Sequence, residues 1–196
     1  MKRFVICVTG KIGTGKSTAA KILAEILNAR IIDVDRAGHE ALKREDVVEK
    51  IKEVFGEKII KNGEVDRKIL GEIVFSNEKL LKKLEEILHP VMVKMVEEEV
   101  RNCQNTVIID CALLKRMKLD GMCDLIITIK SFYETAKSRK PHIPEEIFRK
   151  IRESQRDIED MGEVIWNEGE KENLKKEIIK VLKNHQLYPQ KAFHDE

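Results

Sequence analysis

No stretch of the sequence approaches 18 consecutive apolar residues, so no membrane-spanning helix is expected. Proline and glycine are sparse, at 4 and 10 residues, and no low-complexity tract interrupts the chain; collagen-like and disordered classes are excluded. An excess of one charge sign is also missing, because 37 Lys and Arg stand against 35 Asp and Glu, a net charge of +2. No global basic field therefore argues for a nucleic acid or a membrane surface as partner. Cysteine is scarce too. Cys7, Cys103, Cys111 and Cys123 form no C-x-x-C pair, and no His-rich cluster accompanies them, so neither a zinc site nor a disulfide framework is expected. Cys7 lies inside an apolar run, where the expectation is a buried hydrophobe. The opening residues 1–8 combine charge with an apolar stretch too short for a signal peptide, with no small-residue cleavage site after it. A cytoplasmic protein is expected.

What remains is a chain of 196 residues, 42% apolar, enough for one domain with a sizeable core. Charged residues make up 37%, against about 25% in an average domain. Both signs contribute, as on the ion-pair-rich surfaces of heat-adapted proteins. The run over 4–8 is apolar on both faces, which suits a central parallel strand. A helix over 16–28 follows, with Ala19, Ile22, Leu23, Ile26 and Leu27 at helical spacing. A second strand over 30–33 ends in Asp33.

From 36 to 101 the pattern is helical nearly throughout. Asn62-Gly63 marks a turn, Asp66 suits a helix cap, and a further helix starts at Ser76-Asn77. His89-Pro90 is expected to break that helix, because proline disfavours helical backbone at the residue before it. Strands over 106–110, 124–130 and 164–166 come next. Ser131 and Glu134 have capping-box spacing for a short helix between the last two, and an amphipathic helix over 173–185 precedes a polar end. Strands separated by helices give an α/β layer fold with a five-stranded parallel sheet. The stretch 36–103 exceeds an ordinary crossover and reads as an inserted helical subdomain. The core is expected at 1–35, 104–136 and 158–190, and a lid at 137–157.

Gly10-Lys11-Ile12-Gly13-Thr14-Gly15-Lys16-Ser17 fits G-x-x-x-x-G-K-S/T at every defined position. It follows the first strand and opens the first helix, the context the motif requires. Successive backbone N–H groups of such a loop wrap a polyphosphate, and the helix N-terminus adds partial positive charge. Lys16 reaches the outer phosphates, the Ser17 hydroxyl can ligate Mg²⁺, and Thr18 can add a phosphate contact. Two classes compete for such a loop. A GTPase-type switch needs a base-reading N-K-x-D, which the chain lacks, although Asp35-Arg36-Ala37-Gly38 fits D-x-x-G. A small-molecule kinase needs an acceptor-activating acid, a basic lid and an acceptor-binding region. Asp33, the Arg139-Lys140 region and the helical stretch supply these, and the kinase reading is preferred.

The order of motifs resembles the dephospho-coenzyme A kinase family over about residues 3–185. The family's T-G-G-I-G-S-G-K-S-T is matched by residues 9–18, and its I-D-A-D by Ile32-Asp33-Val34-Asp35. Gly63, Arg67, Leu70 and Phe75 fall on a further family stretch. Leu84 to His89-Pro90 matches L-x-x-(I/L)-x-H-P, and Val164-Ile165-Trp166-Asn167-Glu168-Gly169 matches V-I-x-N-x-G. The chain departs from the pattern after the third strand. There D-x-P-L-L-x-E is replaced by Asp110-Cys111-Ala112-Leu113-Leu114-Lys115-Arg116, so a proline is lost and an acid becomes a base. The lid is shortened around Lys140-Pro141-His142, and the basic position of the D-x-D helix is His39.

The resemblance implies a P-loop kinase that moves the γ-phosphoryl of ATP to the ribose 3′-hydroxyl of dephospho-coenzyme A, with Mg²⁺. Another P-loop small-molecule or nucleotide kinase, or a non-kinase nucleotide-binding switch, is the alternative. Gly10, Ile12, Gly13, Thr14, Gly15, Lys16, Ser17 and Thr18 would hold the nucleotide phosphates, and Asn167 and Gly169 resemble the family's adenine-side loop. Asp33 would be the general base or orient the acceptor hydroxyl, since open α/β sheets bind ligands at strand C-terminal ends. Asp35 and Asp110 would assist near Mg²⁺. Arg139, with Arg156 behind it, would stabilise the transferred phosphoryl group. Arg67 and His89 would serve the acceptor. Each has a plain structural alternative: a cap for Asp33 and Asp35, a turn acid for Asp110, a solvated arginine for Arg139, a helix end for His89. The oligomeric state is not legible in the sequence.

Overall fold

A computed structural model describes residues 4–189; the first three residues and most of the polar end of the chain, 190–196, lie outside the described residues. Five strands form one parallel sheet: β1 (Val5–Thr9), β2 (Arg30–Asp33), β5 (Val107–Asp110), β6 (Leu125–Lys130) and β7 (Glu163–Trp166). Their order is β2-β5-β1-β6-β7, with β1 central. Every residue of β1 and β5 is buried, as the apolar run over 4–8 predicts for a strand covered on both faces. Alternate side chains point to opposite faces. Ile6 and Val8 join a core made with Ile22 and Leu23 of α1 (Lys16–Leu27) and Leu174 and Ile178 of α8 (Lys171–Asn184). Val5 and Cys7 face the other core. It is shared with Ala37 and Ala41 of α2 (Val34–Ala41) and Met92, Val96 and Val100 of α5 (Glu78–Asn102). The fold is thus helix, sheet, helix in three layers.

Between β2 and β5 the chain builds a third core of its own, from Val47, Ile51, Ile59, Val65, Leu70 and Val74. It joins α3 (Glu45–Phe55), α4 (Arg67–Phe75) and the first half of α5. Two details depart from the nearly all-helical expectation. Asn62-Gly63 turns a small antiparallel hairpin, β3 (Ile60–Lys61) with β4 (Glu64–Val65). Consecutive positive φ angles of 54° and 82° are what a two-residue hairpin turn demands, and Asn-Gly supplies them. His89-Pro90 does not break its helix, since α5 runs unbroken through Pro90. Pro90 sits on the exposed side. The residues before it, including Leu80, Leu84 and Leu88, pack on the third core, and those after it, Met92, Val96 and Val100, pack on the sheet. Burial at both ends outweighs the roughly 3 kcal/mol that an interior proline costs.

Caps at Asp66 and Asn77 are as expected. Asp66 accepts from the N–H groups of Lys68 and Ile69, and Asn77 from those of Lys79 and Leu80. The Ser131–Glu134 capping box is not formed. The short helix α6 (Tyr133–Ser138) starts one residue later, with Phe132 as its cap. Glu168 reaches this helix start from beyond β7, taking the Phe132 N–H and the Thr135 hydroxyl at 2.6 Å each. The 140–144 loop leads into α7 (Glu145–Ser154).

Cys7 is not a simple buried hydrophobe. It forms a disulfide with Cys123, 116 residues away, tying the middle of β1 to the entrance of β6. Cys103 and Cys111 stay free. Burial pushes the Cys111 thiol up to about 12, so it is inert at neutral pH. Titration of the denatured protein should find two thiols without reductant and four with it. A bond that closes so long a loop restricts the unfolded chain strongly. Its reduction, or Cys7→Ala, should therefore cost about 2–5 kcal/mol in denaturant unfolding.

Candidate active site

The C-terminal end of the sheet gathers the chemistry. Beyond Thr9 the chain enters the glycine loop, and two glycines have no alternative. Gly13 has φ of 79°, and a Cβ there would stand 2.3 Å from the Ala136 carbonyl oxygen; Gly15 has φ of 96°, and its Cβ would stand 2.4 Å from Asn167 Nδ2. Such positive angles and close approaches exclude any side chain. Gly15 precedes α1 and leaves its first turn without a side-chain cap. The first backbone N–H groups of α1 have no partner within the helix and face the loop, an arrangement that attracts anions.

The loop is held from several directions. The Thr14 hydroxyl donates to Lys11 O at 2.9 Å. Buried Asn167 donates through Nδ2 to Thr14 O at 2.8 Å. Arg139 donates to the same Thr14 oxygen at 3.3 Å and to Gly169 O at 3.4 Å. Asn167, Gly169 and Arg139 therefore meet around Thr14, although up to 155 residues separate the participants. Ile12 is gripped by two side chains that no sequence pattern suggests. Its N–H donates to Gln155 Oε1 at 2.8 Å, and its carbonyl accepts from Arg152 at 3.4 Å. Their distance in sequence, more than 135 residues, hides them from any local motif.

Lys16 opens α1 and turns its ammonium toward the acids. Its Nζ lies 3.0 Å from Asp110 Oδ1 and 3.7 Å from Asp35 Oδ2. Burial works to lower the Lys16 pKa, but the two carboxylates outweigh it and raise it, so the ammonium is charged throughout the neutral range. Asp110 is 4% exposed. Asp33 and Asp110 stand opposite each other as register partners at the ends of β2 and β5. Asp33 also caps α2, accepting the Arg36 N–H at 3.1 Å. The exposed Ser17 lies next along the first turn of α1, and Thr18, half-buried, after it.

Arg67 and His89 lie on the helical insertion. Arg67, at the start of α4, meets His39 of α2, with 2.6 Å between Nη2 and Nε2. His89 is half-buried on α5; burial first, then the nearby Arg116, push its pKa down against the opposing pull of Glu85, so it is neutral at pH 7. Arg156 pairs with Glu78 at 3.4 Å on an exposed surface.

Comparison with known proteins fits this arrangement. The family model for dephospho-CoA kinase matches residues 4–163. A dephospho-CoA kinase of Borreliella burgdorferi is 36% identical over 162 residues, covering 79% of this chain and 77% of the relative. One from Aquifex aeolicus is 35% identical over 191 residues, covering 92% and 96%. The solved dephospho-CoA kinase of Campylobacter jejuni shares the fold, with a TM-score of 0.57 at 23% identity over 93% of this chain and 97% of that one. A glycine loop at the end of a central strand, a lysine held by two acids behind it, and a match that spans most of the sequence lead to one conclusion: the chain belongs to the dephospho-CoA kinase family.

Proposed function

We propose that the chain transfers the γ-phosphoryl group of ATP to the ribose 3′-hydroxyl of dephospho-coenzyme A, yielding ADP and coenzyme A. The observation that carries this reading is Lys16, half-buried with its ammonium on Asp110 and Asp35, at the uncapped start of α1 behind the glycine loop. The loop amides from Gly10 to Thr18, apart from that of Ile12, which Gln155 holds, hold the outer phosphates, and Lys16 neutralises their charge. Asn167 and Gly169 shape the nucleotide side, with Arg139 joining Gly169 to Thr14 and supplying charge to the transferred group. Asp33 takes the proton of the attacking hydroxyl or orients it. Positioning and charge neutralisation supply most of the catalysis.

Mg²⁺ suits this donor set. Among the described residues, no three His, Cys, Asp or Glu side chains gather as a metal cage, and Mg²⁺ is ordinarily bound through substrate phosphates and waters with one or two protein ligands. Ser17 would be one such ligand, with Asp110 or Asp35 beyond it. When bound, the ion offsets charge on the transferring phosphates.

The same reading divides the chain into a core (1–35, 104–136, 158–190), an acceptor-binding helical region (36–103) and a lid (137–157) that excludes water as a competing acceptor. Arg67 and His89 lie on the acceptor side. Arg67→Ala should weaken dephospho-coenzyme A by about 1.5–3 kcal/mol through loss of a charge-assisted bond. ATP affinity should be nearly unchanged, as calorimetry with each ligand separately would reveal. A cytoplasmic location is part of this reading. Among the described residues, no helix is long and apolar enough to cross a membrane. The deciding experiment is a coupled ADP-release assay offering dephospho-coenzyme A beside nucleosides, nucleotides and sugar acids. Release only with dephospho-coenzyme A supports the reading; release with another acceptor, or with none, overturns it.

A further inference from the structure

Arg116 occupies the turn after β5, at the position where the family pattern has an acid, and no step above uses it. Its neighbours Leu114, Met117 and Leu119 are 1%, 4% and 0% exposed, so the turn is anchored in the core on both sides. Bonds from Met117 N–H to Leu113 O and from Leu119 N–H to Leu114 O, at 3.0 and 3.1 Å, close it. From this fixed base the guanidinium reaches two separate elements. Nη1 donates to Glu85 Oε1 of α5 at 2.8 Å. Nε donates to Asp157 Oδ2 at 2.6 Å, while Nη2 donates to Asp157 Oδ1 and to the Ser154 carbonyl. The Asp157 contact is a two-pronged bond that a planar guanidinium makes and an ammonium does not. That bond holds the Asp157 carboxyl below its ordinary range. The base that replaces the family's acid therefore faces an acid on each side.

The segment that Arg116 grips, 154–157, also grips the phosphate loop. Gln155 lies between the two residues bonded to Arg116, and its Oε1 takes the Ile12 N–H at 2.8 Å. Arg152, one turn earlier in α7, donates to the Ile12 carbonyl. Both backbone polar groups of Ile12 are thus fixed from the end of α7, where the chain leaves the helix for an exposed connection to β7. Further along, Lys115, Lys130 and Thr128 hold the connection at Glu159, Asp160 and Met161; Arg116 holds its start, beside Gln155, where a connection otherwise moves freely.

We infer that Arg116 is a positioning residue for the kinase reaction: by pinning 154–157 to the turn after β5 and to α5, it keeps Gln155 and Arg152 on Ile12 and so sets the shape of the phosphate loop. This rests on the kinase reading above. Arg116 acts through Gln155 and Arg152 rather than on a reacting atom. Loss of the clamp lets the Ile12 peptide rotate, and loop amides aimed at the phosphates lose their alignment, which is costly at small displacements.

The test compares Arg116→Ala, Arg116→Lys, Asp157→Asn and the Arg116→Ala/Asp157→Asn double variant. Initial rates with ATP and dephospho-coenzyme A varied in turn are measured beside ATP binding by calorimetry and thermal unfolding. Arg116→Ala and Asp157→Asn should each raise KM and Kd for ATP by about tenfold or more. Arg116→Lys should lie between wild type and alanine. The double variant should be no worse than Arg116→Ala alone, because both changes break one link. Unchanged ATP affinity in folded variants, or effects that multiply in the double variant, would overturn the inference. So would a rise confined to the acceptor KM with Asp157→Asn silent, since Arg116 would then touch the acceptor itself. If Arg116→Ala does not fold, Arg116→Lys and Asp157→Asn carry the same test. The two readings fail separately: a wild type that binds ATP but does not phosphorylate dephospho-coenzyme A refutes the assigned reaction, while the calorimetric comparison still judges Arg116.

Discussion

Lys16→Ala should lower kcat by about 10³-fold or more in the ADP-release assay, because backbone amides alone leave the charge developing on the β- and γ-phosphates unneutralised. The fold gives this substitution a second consequence that the loop motif does not announce. Lys16 is the cation closest to Asp110, at 3.0 Å, and the Asp110 side chain is only 5% exposed. Removing the ammonium leaves a buried carboxylate without its partner, which costs about 3 kcal/mol of stability. Loss of activity in Lys16→Ala alone therefore mixes chemistry with folding. Lys16→Ala/Asp110→Asn separates them, since the neutral amide needs no cation. Denaturant unfolding of the double variant should return most of the lost stability, while turnover stays at the level of the single variant. Wild-type turnover in Lys16→Ala would refute the phosphate-loop assignment. Recovery of activity in the double variant would show that the lysine serves only to hold Asp110.

Asp33→Asn should reduce phosphoryl transfer by about 10²–10⁴-fold with little change in ATP affinity, if the carboxylate accepts the proton of the acceptor hydroxyl. The geometry makes this a clean substitution. Asp33 caps α2 through one oxygen that accepts the Arg36 N–H. Asparagine is as good a cap as aspartate, so stability should move by no more than a few tenths of a kcal/mol. Asp33→Ala, by contrast, should cost about 1 kcal/mol from the lost cap. The pair of variants distinguishes the roles: a base loses activity equally in both, whereas a cap loses stability in alanine alone and keeps its rate in asparagine. An unchanged rate in Asp33→Asn would leave Asp33 as the cap of α2 and nothing more.

Much of the molecule is legible in its sequence because the determinants are local. The apolar runs that become β1, β5 and β6 are contiguous. The glycine loop is eight residues whose spacing carries its own geometry, and the caps at Asp66 and Asn77 act on amides two and three positions away. Asp33 and Asp110 both end strands, so a parallel sheet brings them to one edge without further information. Family membership follows from the order of such motifs.

The features that escaped are those decided by how distant segments pack. Cys7 and Cys123 pair because the chain entering β6 lies beside β1, 116 residues along. Pro90 stays inside a 25-residue helix because cores at its two ends hold α5 helical where local preference would stop it. Glu168, which the chain beyond β7 delivers to the start of α6, takes the Phe132 N–H, and the Ser131–Glu134 box does not form. Gln155, Arg152 and Arg116 acquire their roles only once the end of α7 is laid against the glycine loop and the turn after β5. Local pattern determined the elements, the phosphate loop and the family, since backbone periodicity and short-range hydrogen bonds act within a few residues. Tertiary packing alone decided which side chains hold that loop in shape, because burial and register set contacts between residues that no periodicity connects.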